Sequence, residues 1–311
     1  MSGVLSRLLT VGWVAWLSIA ASFAQELNLP NLPNSLRIAV IGDSGTGGEA
    51  QIEIGQRMAL FREKFPFELV LMLGDNIYGR DRPKDYVRKF ERPYQSLLDA
   101  GVKFYAALGN HDRPRQVNYP LFNMKGRRYY SFSPGKDVRF FALDSTKMDS
   151  AQIEWLDGEL AHTQESWKIC FLHHPLYSSG RRHGSSIRLQ RLLEPLLVKH
   201  GVQVVFAGHD HFYERIHPQK GISHFVSGGA AKLRKNNIRK SPLTAKGFDQ
   251  DRHFMLLEVA PSALYFQAIS RTGEKVDSGR IENTSSASGK ATSPVVGVVC
   301  HPPLLTAWAC Q

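Results

Sequence analysis

Five places in this 311-residue chain carry side chains able to hold a hard cation: Gly42-Asp43, Gly74-Asp75-Asn76, Gly109-Asn110-His111-Asp112, His173-His174-Pro175 and Gly208-His209-Asp210-His211. Carboxylate, imidazole and amide oxygen suit iron, manganese or zinc, and no thiolate takes part. A structural zinc would want four tightly spaced cysteines or histidines. Donors spread along the chain instead suit two ions that share one carboxylate. Two adjacent cations generate a nucleophile from water near neutral pH and stabilise both oxygens of an in-line displacement at phosphorus. A lone Gly-Asp marks a turn or a helix cap; five such places in order form a pattern.

Each of the five follows a short apolar run, at residues 37–41, 69–73, 103–108, 169–172 and 202–207, with the length and composition of a buried strand. Amphipathic stretches at 49–64, 84–100 (interrupted by Pro93), 152–162 and 187–200 predict helices between them. Strand and helix in alternation argue for α/β layers. In such sheets ligands bind beyond the carboxyl ends of the strands, so the five loops should converge. Glycine directly before the donor at four of the ends permits a sharp turn that aims the side chain off the strand tip.

These residues, in this order, resemble the metallophosphoesterase (calcineurin-like) superfamily over residues 36–282. Asp43-Ser44-Gly45 and Asp75-Asn76-Ile77-Tyr78 look like the purple acid phosphatases, including the tartrate-resistant type, in which a Tyr three residues after the bridging Asp is also a ligand. The resemblance implies a four-layer αββα sandwich, two mixed β-sheets flanked by helices. It also implies an acid phosphatase that hydrolyses phosphate monoesters with a hydroxide activated by a binuclear metal centre. Asp43, Tyr78 and His211 would bind the first metal, Asp75 would bridge, and Asn110, His173 and His209 would hold the second. A phenolate favours a trivalent ion, which gives Fe(III) at the Tyr78 site and Fe, Zn or Mn at the other.

By the same resemblance Asn110 and His111 contact the phosphoryl group, and Asp112 orients His111. His183 falls where the family's second active-site His lies and would protonate the leaving group. Its neighbour Arg182 stands where animal relatives carry Glu, which should lower the His183 pKa. His174 is expected to pack or hydrogen-bond beneath the site. Ser227-Gly228-Gly229-Ala230 resembles a glycine-rich turn beside it, and residues 254–259 and 263–269 read as a hairpin closing the second sheet.

A composition 42% hydrophobic and 22% charged excludes a disordered, collagen-like or multi-span membrane protein. Thirty-nine Lys plus Arg against 28 Asp plus Glu favour anionic partners, although the basic residues are scattered and read mostly as solvated surface. Two alternatives to the monoesterase arise. A phosphodiesterase or nucleotidase on the same core is disfavoured by Tyr78 and His183. A non-catalytic polyanion-binding module using Arg181, Arg182 and the 234–240 run lacks stacking aromatics. The expected partners are small phosphomonoesters, with no nucleic acid, and the expected state is a monomer. Residues 1–24 read as a signal peptide, which makes the protein secreted or periplasmic without stable membrane insertion afterwards. Residues 25–35 read as a linker, 36–282 as the catalytic domain and 283–311 as a tail. Cys170 is expected to be a buried thiol, Cys300 and Cys310 could pair, and Asn283-Thr284-Ser285 is a glycosylation sequon.

Overall fold

The structure, a computed structural model, describes residues 27–283. The chain enters on β1 (Leu36–Ile41) and crosses through α1 (Glu49–Lys64) to a parallel β2 (Leu69–Met72). It then passes through α2 (Pro83–Tyr86) and α3 (Gln95–Asp99) to a parallel β3 (Lys103–Ala106). A second sheet begins with the antiparallel pair β4 (Tyr130–Gly135) and β5 (Val138–Ala142). Crossovers through α4 (Ser150–His162) and α5 (Ile187–Lys199) place β6 (Trp167–Leu172) and β7 (Val204–Ala207) parallel to β5. β8 (Tyr213–Ile216), β9 (Ser223–Ser227) and β10 (Thr244–Phe248) complete that sheet in the order β10-β8-β9-β7-β6-β5-β4. β11 (His253–Val259), β12 (Ala263–Ser270) and β13 (Lys275–Glu282) return to the first, giving β13-β12-β11-β1-β2-β3. Both sheets are mixed, and helices cover their outer faces: the expected four layers.

Period-two side chains explain the layering. In β6, Ile169 and Phe171 join the core between the sheets, where Phe225 meets Phe266 of the opposite sheet edge-on at 4.9 Å. Cys170 and Leu172 face the other way and pack with Leu156 and Leu160 of α4 and Leu189 and Leu193 of α5. Cys170 is thus the buried thiol expected, its pKa pushed up by burial. Asp149 and Ser186 cap α4 and α5 by accepting from the amides of Gln152 and Leu189.

Four features depart from the sequence reading. The hairpin of β11 and β12 belongs to the first sheet, because β11 pairs antiparallel with β1 from Leu36 opposite Val259 onward. Residues 84–100 form α2, a π-helical stretch Val87–Glu91 and α3 instead of one helix. The wide turn carries Lys89 inward, and Gly55 of α1 fits beneath the Pro93 carbonyl, where a Cβ would lie 2.0 Å from the oxygen. Residues 27–35 lie against the first sheet: Glu258 accepts from the amides of Asn31 and Leu32 and from Ser35 Oγ. Asn283 is buried, its Nδ2 donating to the Ser166 and Pro261 carbonyls, so a glycan on that nitrogen would replace one of the two donated protons and break its bond. The signal peptide, Cys300 and Cys310 lie outside the described residues. Within those residues no helix is long and apolar enough to cross a membrane.

Candidate metal centre

The five strand ends do converge. Asp43 follows β1, Asp75 follows β2, Asn110 follows β3, His173 follows β6, and His209 and His211 follow β7. Oxygens or ring nitrogens of Asp43, Asp75 and His173 fall within 4.8 Å of one another, as do ring nitrogens of His173, His174 and His209. Backbone geometry aims them: Asp43, Asp75 and His209 all sit in the left-handed region, with φ of 55°, 54° and 69°. That region is uncommon for residues with a Cβ and persists where surrounding structure over-determines it. Of the preceding glycines, Gly74 makes the turn expected, at φ 89°, and the others serve a different purpose. At Gly109 a Cβ would lie 2.2 Å from the Asp75 amide nitrogen, and at Gly208 it would lie 2.6 Å from Asp43 Oδ2. These let the loops approach, and at Asp43 and His209 the donor itself makes the turn.

Hydrogen bonds fix the buried carboxylates. The amide of His209 donates to Asp43 Oδ2 at 2.8 Å and that of His111 to Asp75 Oδ1 at 2.9 Å. Tyr78 donates its phenol proton to Asp43 Oδ1 at 3.2 Å, and His211 Nε2 lies 3.3 Å from the same oxygen. Lys89, nearly fully buried, secures the Tyr78 loop, its ammonium donating to the carbonyls of Tyr78 at 2.5 Å and Arg80 at 2.6 Å. Asp112 is placed otherwise than expected. Its carboxylate accepts from the amides of Asn76, Ile77 and Gly109 and from Asn76 Nδ2, so it clamps the Asp75 loop and does not orient the His111 ring. Burial first, then the Asp75 charge, raise its pKa to about 7.

The donor chemistry fits cations. His173 Nδ1 lies 2.9 Å from the Leu73 carbonyl, a contact that requires the proton there and leaves Nε2 as a lone pair. That bare nitrogen meets Asn110 Oδ1 at 3.0 Å, His209 Nδ1 at 3.1 Å and Asp75 Oδ1 at 3.5 Å. Lone pairs facing one another are what a metal resolves. Burial, and next the His174 ring, hold His173 well below its usual pKa; burial and His173 push His209 to about 2; burial and Arg234 push His211 to about 4. All three are neutral ligands in waiting. Asp43 is raised well above the usual range by burial and then by Asp75, a like-charge conflict that positive charge would relieve. Tyr78 is likewise raised, by burial and then by Asp43 and Asp75, so a phenolate there needs a cation beside it.

Around this floor lie exposed groups. Asn110 and His111 are open to solvent, the His111 ring 4.9 Å from that of Tyr78. His183 is exposed, its ring 4.1 Å from that of His209. Burial lowers its pKa, with Arg234 and Arg182 acting in the same direction and Asp210 against. His174 hydrogen-bonds Ser145 through Nδ1 at 2.9 Å as expected, yet its ring also stands 4.3 Å from His209, at the site's edge.

Several positioning residues escape a reading of the sequence. Asp210, between two candidate ligands, is fully buried; its Oδ2 accepts from Ser178 Oγ at 2.6 Å and the Gly184 amide at 3.2 Å, pinning the loop that bears His183. Arg234 reads from the sequence as part of a solvated run, and Lys232 is not singled out there. Their amides donate to the carbonyls of Asp43 and His211, and the Lys232 ammonium sits 4.6 Å over the Tyr78 ring. For Asp210 the His-x-His alternation was the available signal; for the two cations there was none.

Residues 36–213 match the calcineurin-like phosphoesterase family, a span that includes all five strand ends. Tartrate-resistant acid phosphatase type 5 of Oryctolagus cuniculus is 22% identical over 303 residues, covering 81% of this chain and 93% of that protein. Among solved structures, GAP50, the anchor in the inner membrane complex of Plasmodium, superposes with a TM-score of 0.69 at 21% identity over 80% of this chain and 89% of its own. Purple acid phosphatase PPD1 from Lupinus luteus seeds gives 0.67 at 19% over 82% of this chain and 55% of its own. The family match and the converged donors lead to one conclusion: the chain belongs to the calcineurin-like phosphoesterases, hydrolases with a dinuclear metal centre, and tartrate-resistant and purple acid phosphatases are among its distant relatives.

Proposed function

We propose that this chain is a purple acid phosphatase-like phosphomonoesterase. The observation that carries the reading is the meeting of the His173 Nε2 lone pair with the carbonyl oxygen Asn110 Oδ1, with His209 Nδ1 at 3.1 Å, beside a phenol hydrogen-bonded to a buried carboxylate. Asp43, Tyr78 and His211 would hold one ion and Asn110, His173 and His209 a second, with Asp75 between them. When bound, such ions supply Lewis acidity at phosphorus and a nucleophile near neutral pH.

The chain's own groups do the rest. Asn110 and His111, on the open side, bind phosphoryl oxygens; the amide of His111 is already committed to Asp75, which ties its loop to that carboxylate. His183 holds a proton for the departing alkoxide, its loop anchored by Asp210. The Asp112 clamp keeps the Asp75 loop from relaxing.

Turnover of p-nitrophenyl phosphate against bis-p-nitrophenyl phosphate tests the substrate class, with the monoester expected to be faster. A faster diester would shift the reading to a phosphodiesterase on the same core. Iron-loaded protein should absorb in the visible through a tyrosinate-to-Fe(III) band. Colourless, zinc-only protein with full activity would remove Tyr78 from the ligand set.

A further inference from the structure

β3 and β4 are the end strands of the two sheets, and beside them lies a cavity of about 510 Å³ that shares no lining residue with the candidate metal centre. Among the described residues its lining holds three cations, Lys103, Lys125 and Arg127, and no acid. All three are exposed, and none forms an ion pair or a side-chain hydrogen bond among the described residues. Ser131, also on the lining, bonds Glu159 through Oγ at 2.6 Å, and that carboxylate is itself paired with Arg139 at 3.8 Å. Cations gathered around a concavity and left uncompensated raise the local potential and concentrate anions there.

The wall of the cavity is aromatic. Phe132 of β4 lies between Tyr105 at 3.8 Å and Phe140 at 5.2 Å, with interplanar angles of 8° and 24°. Tyr105 is half-buried, and among the described residues it has no second ring partner and no hydrogen bond from Oη. The two-residue period of a strand sets Lys103 and Tyr105 on the same face of β3, charge beside ring. The rim is built in advance. Asn123 and Lys125 hold left-handed backbone, with φ of 52° and 51°, and Asn123 Nδ2 donates to the Phe104 carbonyl of β3 at 2.8 Å. Tyr130 of β4 donates through Oη to the Ala106 carbonyl at 2.9 Å, which ties the two sheet edges together.

We propose that this cavity is a second binding site, taking a planar aromatic anion whose ring stacks at the Tyr105–Phe132 wall and whose sulfonate, carboxylate or phosphate groups meet Lys103, Lys125 and Arg127. The volume falls in the range of pockets that enclose small organic ligands. An uncharged ring would leave the cations unanswered, and an inorganic anion would leave the wall bare. The site stands apart from the metal centre and does not depend on the phosphatase reading.

Pyranine, a pyrene trisulfonate with no phosphoester to cleave, tests this by fluorescence polarisation on the full chain, with excess inorganic phosphate present to occupy the metal centre. A Kd on the order of 10 µM is expected. Lys125→Gln and Arg127→Gln together, both at exposed positions, should weaken binding by about tenfold or more and leave p-nitrophenyl phosphate turnover unchanged. Tyr105→Leu should weaken it roughly fivefold to tenfold. Lys246→Gln, the same change of charge on β10 at the far edge of the second sheet, should have no effect. Naphthalenesulfonate and an adenosine sulfate ester, competing for the probe, separate a simple aromatic acid from a nucleotide, and the tighter competitor names the source. Displacement of pyranine by inorganic phosphate would assign it to the metal centre and overturn the proposal. So would inorganic sulfate competing as well as naphthalenesulfonate, or equal losses in the Lys125, Arg127 pair and in Lys246→Gln, since either would reduce the site to general surface charge.

Discussion

The floor and the rim of the site are built on opposite terms. On the floor, Asp43, Asp75 and His173 have essentially no solvent exposure, and main-chain groups fix each of them. On the rim, Asn110, His111 and His183 are exposed and are steered at one remove, by residues such as Asp210 and Asp112 that never reach the open side. A group that must hold a cation is desolvated and immobilised before the ion arrives, at the cost of like-charge conflict. A group that must meet changing substrates keeps its freedom and is tethered through its loop.

Asp75→Asn should break the floor outright. Turnover is expected to fall by about a thousandfold or more, since on the proposed reading one carboxylate would serve both ion positions. The same change should raise the stability of chelator-stripped protein by on the order of 1 kcal/mol, because Asp75 is a main source of the unfavourable charge felt by Asp43. Thermal melts with and without chelator check this: wild type should gain more from metal than the variant does. Equal melting temperatures for the two stripped proteins would show that the conflict is already relaxed.

Tyr78→Phe separates ligand from packing. The ring keeps its place beside His111 and under Lys232, so the protein should fold and bind metal. The visible band of the iron form should vanish, and turnover should drop by roughly tenfold or less. A band that survives would reassign it to another group. Asp210→Asn addresses the rim alone. It weakens the acceptor for Ser178 Oγ and the Gly184 amide without touching a floor donor. Alkyl phosphates, which need the leaving-group proton, should slow by about fivefold or more, while aryl phosphates and metal content change less. Loss of bound metal in that variant would place Asp210 with the floor.

The groups that face the ions and the substrate were largely legible in the sequence, and the residues that steer them were not. Asp43, Asp75, Asn110, His173, His209 and His211 each follow a short apolar run, and strand ends in a layered α/β fold have one direction in which to converge. The placement of Asp112 eluded the same logic. An adjacent imidazole made orientation of His111 the local expectation, but the amides of Asn76 and Ile77 are closer, a fact set by the β2–β3 pairing. Lys89 needed a π-helical turn to point inward, and no periodicity announces one. Arg234 sat in a run of charges whose sequence looks solvated, and only the bond from its amide to the His211 carbonyl brings it to the site. The second-sheet hairpin failed for a related reason: residues 254–269 read as a pair of strands from their composition, but partnership with β1 is a long-range choice.

Buried histidines away from the metal floor offer the finest test of the comparison. Among the described residues neither His253 nor His224 has a carboxylate within bonding distance, yet both are buried. Burial lowers His253 to about 3 and His224 to about 4, with Asp251 and Glu194 acting weakly in the other direction. Unfolding frees each ring to its usual value near 6.5. Between that pH and the depressed value the unfolded chain binds more protons, so stability is complete above about pH 6.5 and falls as the pH drops toward 4. The loss should be on the order of 2–3 kcal/mol for His253 by pH 4, a decline of several degrees in melting temperature. His253→Leu gives up the contact with Ser227 Oγ at 3.0 Å and should melt lower at pH 7, but its melting temperature should decline less steeply between pH 6.5 and pH 4. Identical slopes for variant and wild type would assign the acid sensitivity to the floor instead, where protons and metal compete for the same nitrogens.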